Sequence, residues 1–197
     1  MPTRRTVSPL QGKRVHLRPP RRSDEAAFLA SAQRSRTMHR GYVQPPLTPD
    51  AFAVYLARYR KVADPRHLAF LVVRSEDDAL AGVVNFSEIV RGVFLSAYVG
   101  YYGFAGMAGR GYMTEGLALA LDFAFRDARL HRVEANVQPG NARSLALVER
   151  VGFVREGYSR RYVKIGARWR DHVRLALLAE DWPRRRAALR RACAGRE

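Results

Sequence analysis

Tyr98-Val-Gly-Tyr101-Tyr-Gly103-Phe-Ala-Gly106-Met-Ala-Gly109-Arg110-Gly111-Tyr112-Met113-Thr-Glu-Gly-Leu-Ala-Leu-Ala-Leu121 is the stretch whose reading decides the fold. It opens as an apolar, aromatic-rich strand, passes through a glycine loop and leaves as a helix. Met113, Leu117, Ala120, Leu121 and Ala124 follow the helical period at the exit. A strand that delivers a glycine loop to a helix start presents unpaired backbone N–H groups at the positive end of a helix dipole. Such a place suits a phosphate. Glycine is needed there because a side chain holds the ligand off the backbone or disfavours positive φ.

Spacing separates this loop from two others. In G-x-G-x-x-G, counting from Gly109 and Gly111, the third glycine position is Thr114, and no Gly-Lys-Ser/Thr closes a P-loop. What remains, Ala108-Gly109-Arg110-Gly111-Tyr112-Met113 followed by Thr114-Glu115-Gly116-Leu117, resembles the pyrophosphate loop of the GNAT-superfamily N-acetyltransferases, which bind acetyl-CoA. The plainer alternative is a glycine-rich link between a strand and a helix.

Working outward, residues 1–12 read as a loose basic arm. Arg14–Arg18 alternates as a first strand, ended by Pro19-Pro20. Ser23-Asp24-Glu25 is read as an N-cap with an acidic first turn, opening a helix to about Arg34. Ser35–Leu47 reads as irregular. Thr48-Pro49-Asp50 starts a second helix, whose Phe52, Tyr55, Leu56, Tyr59 and Val62 form a core-facing stripe. Three strands follow, His67–Arg74, Ala79–Val90 and Val93–Tyr102, as a meander that feeds the glycine loop. After the helix at 112–128 come a strand at His131–Gln138, a helix from Asn141 to Arg150 stopped by Gly152, and a hairpin of Phe153–Lys164 with Arg168–Leu178. The chain thus divides into the arm 1–12, a body 13–180 and a basic segment 181–197.

This order is α+β. It matches the GNAT acyl-CoA N-acyltransferase fold over nearly the whole chain, a mixed, mostly antiparallel central sheet with helices on both faces. A second motif strengthens the resemblance: Asn141-Ala-Arg-Ser144, then Gly152-Phe153-Val-Arg-Glu156-Gly157, looks like the downstream GNAT segment. Gly82-Val-Val-Asn-Phe-Ser-Glu88, Tyr98-Val-Gly-Tyr101 and Gly111-Tyr-Met-Thr-Glu115 resemble the RimJ/RimL branch, the ribosomal-protein-alanine N-acetyltransferases. The resemblance implies acetyl transfer from acetyl-CoA to the N-terminal α-amine of a protein, an alanine of a small-subunit ribosomal protein. It also places Val99, Gly100, Tyr101, Gly109, Arg110, Gly111, Tyr112, Met113 and Asn141 at the donor, with Ser144 near the leaving thiolate. Two departures stand out. Gly106 occupies a position where the family usually has Gln or Arg, and Val148 falls where some members carry a general-acid tyrosine.

The chemistry has an independent argument. A thioester is already activated, so the enzyme must align a neutral amine with its carbonyl and exclude water. An α-amine, with a pKa of about 7.7–8.0 against about 10.4 for lysine, is roughly 300-fold more often neutral at pH 7. A modest base is enough, acting directly or through water. Glu88 and Glu134 are the candidates, on strands beside the expected cleft; each also reads as a carboxylate paired with arginine. Ser144 reads equally as a first-turn helix residue. Backbone N–H groups near Val99–Tyr101 are suited to the oxyanion.

Composition bounds the rest. The chain has 197 residues, 47% of them hydrophobic, enough for one domain with an ample core. Its single cysteine, Cys193, excludes a disulfide framework and fits a reducing, cytoplasmic setting. No apolar run is long enough to span a membrane, and the five histidines show no metal spacing. Lys and Arg number 35 against 18 acids, a net charge of +17. Such a field attracts polyanions and fits contact with rRNA or a pre-ribosome, the C-terminal arginines included. Two rival classes remain: a GNAT enzyme for a small amine, and a non-catalytic RNA- or ribosome-binding protein of the same fold.

Overall fold

The computed structural model describes residues 10–59 and 66–194. Residues 1–9 of the arm, Val62 of the aromatic stripe and the side chain of Cys193 lie outside the described residues. The strands are β1 (Leu10–Gln11), β2 (Val15–Arg18), β3 (Leu68–Arg74), β4 (Leu80–Val90), β5 (Ser96–Gly103), β6 (Arg132–Val137), β7 (Val154–Ile165) and β8 (Arg168–Leu178). They form a single sheet in the order β1-β2-β3-β4-β5-β6-β8-β7. All neighbours are antiparallel except β5 and β6. The helices are α1 (Glu25–Arg34), α2 (Arg36–His39), α3 (Pro49–Tyr59), α4 (Tyr112–Asp122), α5 (Ala142–Val151) and α6 (Trp182–Ala194).

Strand periodicity divides the core in two. On β3, Phe70 and Val72 face one cluster, with Leu117 and Leu121 of α4 and Val148 of α5. Leu71 and Val73 face the other, with Phe28 of α1 and Phe52 and Leu56 of α3. A strand covered on both faces carries a continuous apolar run, as Leu68–Val73 does. Helix α4 lies close on the sheet because residue 116 is glycine; a Cβ there would stand 2.7 Å from a Val72 methyl. The α3 stripe packs as core, with the Tyr55 hydroxyl donating to Asn85 Oδ1 at 3.0 Å.

Several expectations change. Leu10–Gln11, inside the stretch read as a loose arm, pairs with β2. Ser35–Leu47 contains the short helix α2. The cap before α1 is Asp24 rather than Ser23. Its carboxylate accepts the Arg21 N–H at 2.7 Å and holds the Arg18 guanidinium through two bonds. That pairing raises the Arg18 pKa further and keeps a buried carboxylate compensated. The helix read over 112–128 turns π-helical at Phe123–Asp127. The terminal basic segment is α6, anchored by the Trp182 indole and the Arg186 guanidinium on the two oxygens of Asp122. Arg186 is therefore part of the packing.

Candidate active site between the splayed strands

The parallel pairing of β5 and β6 stops early. Ser96, Ala97 and Tyr98 pair with Arg132, Val133 and Glu134, and there the ladder ends. Both strands continue, β5 to Gly103 against β4 and β6 to Val137 against β8. The sheet therefore opens in a wedge whose β5 side is Val99–Gly103, with main-chain groups on that edge released from the ladder. Val99 and Tyr101 face α4 and α5, while Tyr98 and Gly100 face the opposite side.

The glycine loop closes the β5 arm of the wedge. Gly106, Gly109 and Gly111 adopt φ of 82°, 79° and 80°. Gly111 is the N-cap of α4 in the left-handed conformation, and no side chain caps that end. A Cβ built on Gly109 meets nothing within 4 Å. An open loop of three positive-φ glycines and an uncapped helix start make a cradle that fits a diphosphate, with the exposed Arg110 beside it.

Arg14 was missed by sequence reading. Its guanidinium donates to the Arg110 carbonyl at 3.0 Å and pairs with Glu115 at 3.3 Å, while its backbone N–H donates to Glu115 Oε1 at 2.8 Å. It also lies 5.4 Å from the centre of the Tyr112 ring. A strand start far away in sequence thus holds the loop in shape. The side chains of Tyr112 and Met113, residues expected at the donor, pack against the protein. Tyr112 sits under Arg14 and Arg74, and the Met113 sulfur occupies the space a Cβ on Gly82 would take. Their place at the helix start leaves backbone N–H groups as what they offer a ligand.

Asn141 and Ser144 lie on the β6 arm. Asn141 caps α5, its Oδ1 accepting the Ser144 N–H at 3.2 Å. The Tyr101 hydroxyl reaches across the wedge to Ser144, 2.6 Å from Oγ and 3.0 Å from the carbonyl oxygen. Burial pushes the Tyr101 pKa well up, so its proton stays available for donation. Val148, where a tyrosine would fall in some relatives, is fully buried core.

The candidate bases separate. Glu88 is exposed, at φ 49°, in the irregularity where β4 slips against β5. Glu134 is buried beside Tyr98 and pairs with Arg132 at 2.9 Å and Arg174 at 3.9 Å. Arg132 also binds Glu156, holding that carboxyl below its usual range. Glu134 thus matches the arginine-paired alternative. Nearby, the hydroxyls of Tyr98 and Tyr162 share a hydrogen bond, and this bond, with burial, pushes the Tyr98 pKa up to about 12. The buried His172 donates Nδ1–H to the Arg170 carbonyl at 3.0 Å; burial lowers its pKa and leaves a neutral ring with Nε2 as acceptor. Its ring meets that of Tyr162 on the neighbouring β7, a contact set by the register of the hairpin.

A strap crosses the open end of the wedge. Ser35 Oγ accepts the Ala105 N–H at 2.8 Å, and His39 Nε2–H donates to the Gly103 carbonyl at 2.8 Å. Farther on, Gly41 accepts from Gln138, the Tyr42 hydroxyl donates to Gly140, and Gln44 accepts from Gly166. Beside the strap lies a cleft of about 500 Å³ between residues 40–42, 138–140 and 169–171. Its one carboxylate, Asp171, is occupied by the Arg161 N–H and the Tyr158 hydroxyl, while Arg40 and Arg170 add positive charge. Among the described residues, no three His, Cys, Asp or Glu side chains converge as metal ligands would.

Comparison with known proteins gives the family of this splayed sheet with its glycine cradle. Residues 14–154 match the acetyltransferase (GNAT) domain, and the chain belongs to that family. It is 42% identical over 107 residues to the [ribosomal protein uS5]-alanine N-acetyltransferase of Escherichia coli (strain K12), covering 54% of this chain and 55% of that protein. The chain's matches to two such curated relatives run over 55% to 62% of those proteins' lengths. Among solved structures, Mycobacterium smegmatis RimJ in complex with CoA-disulfide is 30% identical, with a TM-score of 0.83 over 96% of this chain and 94% of that one. The ribosomal-protein-S5-alanine acetyltransferase from Vibrio fischeri is 25% identical, with a TM-score of 0.79 over 89% and 98%. The RimJ-like GNAT fold is thus established, and with it an N-acetyltransferase domain.

Proposed function

We propose that this chain transfers acetyl from acetyl-CoA to the N-terminal α-amine of a protein, an alanine of a small-subunit ribosomal protein. The observation that carries the reading is the ladder ending at Tyr98 and Glu134 with a glycine cradle at one arm. The names of the Escherichia coli and Vibrio fischeri relatives support the acceptor class.

In this reading the amides around Gly109, Arg110 and Gly111 hold the donor's diphosphate, and its arm runs between Val99–Tyr101 and Asn141. The thioester supplies an activated acyl group. Main-chain N–H groups on the freed β5 edge face the oxygen that becomes anionic during attack. Ser144 Oγ, hydrogen-bonded to Tyr101, delivers a proton to the departing sulfur. The α-amine attacks in its neutral form, and the proton it sheds as the C–N bond forms passes through a water held near Glu134, Tyr98 and Tyr162 to bulk solvent. Glu88, exposed on a bulge, has the weaker claim.

An Ala-starting peptide assayed against a panel of polyamines and aminoglycosides tests the acceptor. The peptide should exceed every small amine in kcat/KM by at least about tenfold, which corresponds to 1.4 kcal/mol. Preference for a small amine defeats the protein-acceptor reading. Failure to bind acetyl-CoA by calorimetry defeats the enzyme reading altogether.

A further inference from the structure

Apart from Tyr162, placed above beside the relay water, the exposed side chains of the β7–β8 hairpin have no step in the proposed acetyl transfer. β7 is an edge strand of the sheet, and its far half extends beyond the pairing of β8 with β6. Arg160, Arg161, Lys164 and Arg168 are all exposed there, and no ion pair engages their side chains among the described residues. Tyr158, Tyr162 and Trp169 are exposed as well, Trp169 to 59%. Lys164 faces Trp169 across the ladder. The Tyr158 hydroxyl meets Asp171, two residues from Trp169 on the same face, so the two rings share one surface. Arg160 and Arg161 occupy the stretch where β7 slips out of register between Ser159 and Val163.

Charge on an edge strand has an ordinary explanation, since lysine and arginine deter edge-to-edge pairing. Exposed aromatic rings do not serve that purpose. Solvated charge also leaves an exposed indole unexplained. Cations interleaved with exposed rings are what single-stranded nucleic acid requires: phosphates meet the cations and bases stack on the rings. The net charge of +17 supplies the attraction. Helix α6 is less suited, because Arg186 is bound to Asp122 and the Arg185 stem lies against Gly152.

We propose that the β7–β8 hairpin docks single-stranded RNA, with bases stacked on Trp169 and Tyr158 and phosphates along Arg160, Arg161, Lys164 and Arg168. This holds whatever amine the cleft takes. It would bring an RNA-borne acceptor next to the cleft, since Trp169 lies on the cleft wall.

The test is fluorescence anisotropy of the full chain with labelled oligouridylate of about 12 nucleotides, a length within single-strand site sizes. A parallel titration follows intrinsic tryptophan emission. The chain has two tryptophans, and Trp182 is buried with its indole on Asp122, so quenching by RNA reports Trp169. Binding should weaken steeply between about 50 and 200 mM KCl, with quenching, and duplex RNA should bind less well. W169A should lower affinity at least about fivefold. The variant R160Q/R161Q/K164Q/R168Q should flatten the logarithmic salt slope by about 2.8 units. Both variants should bind acetyl-CoA as the parent does, which shows that they fold. The proposal is overturned by absence of RNA binding at low salt, by wild-type binding in both variants, or by equal duplex binding without quenching. A change of oligomeric state in the variants without RNA binding overturns it too, assigning the edge to a second copy. None of these results bears on acetyl transfer, which the peptide assay measures separately.

Discussion

The Tyr101 hydroxyl and Ser144 Oγ lie 2.6 Å apart, joining the strand that precedes the glycine loop to the helix that follows β6. These elements diverge at the wedge, and this bond ties them across it. The single Tyr101 proton has two acceptors, the Ser144 carbonyl at 3.0 Å and Ser144 Oγ, and given to Oγ it leaves the serine proton free to be donated in turn. Y101F should lower kcat about tenfold with little change in KM for acetyl-CoA, and should cost about 1 kcal/mol of stability. S144A should lower kcat further, by about 100-fold, as loss of a proton donor does. If Y101F raises KM and leaves kcat intact, the tyrosine only shapes the donor site.

At Gly109 a new Cβ meets no neighbour, so G109A probes backbone conformation and cradle occupancy without a clash inside the fold. The positive φ of 79° should cost about 1–2 kcal/mol in stability. Acetyl-CoA affinity should fall by a larger factor than that strain explains, because the methyl group points into open space at the cradle. At Gly111 a new Cβ would stand 2.9 Å from the Arg14 guanidinium, so G111E disturbs the loop tether as well and should abolish donor binding. Calorimetry with acetyl-CoA, alongside urea melts, separates the two effects.

Arg14 holds the loop from outside through Glu115 and the Arg110 carbonyl. Its side chain is 47% exposed, so solvent screens the pair and R14Q should cost less than about 1 kcal/mol in stability. Donor affinity should nonetheless fall about fivefold, since the loop loses its tether. Measured stability and Kd for the same variant decide this. Equal Kd values would mean that the glycine loop holds its shape alone.

Two buried histidines set a pH window. Burial lowers the pKa of both His39 and His172, while the unfolded chain titrates near 6.5. The unfolded state therefore binds more protons just below that value, and stability falls as pH drops from about 6.5 toward the folded-state values. Glu156 and Asp171, also depressed, contribute losses only at lower pH, as carboxylates. Urea midpoints from pH 7.5 to 5 should decline in the parent and flatten in H39N/H172N. A parent midpoint independent of pH over that range would contradict the burial argument.

Much of the architecture was written locally. Thr48-Pro49-Asp50 reads as a helix start, and the Thr48 hydroxyl accepts the Ala51 N–H at 3.3 Å. Asn141 and Gly152 bracket α5 as read, Gly152 at φ 115°. Periodicity and caps act over a few residues, so a linear reading recovers them. The cap of α1 escaped it because Asp24 is chosen by Arg18, a residue of the preceding strand. Helix α2 escaped as well, because its anchors, Gly103 and Ala105, lie more than sixty residues away.

The sequence by itself determined the order of the longer strands and helices, the glycine loop at a helix start, and the polyanion-seeking charge, because each depends on neighbours in the chain or on a simple sum. The tertiary structure decided which groups meet. It set Arg14 on the glycine loop and paired Glu134 with arginines. It also brought Tyr101 to Ser144 and left the hairpin aromatics bare. Those outcomes depend on strand register and on where two strands part, and both follow from packing of the whole sheet, which no local pattern encodes.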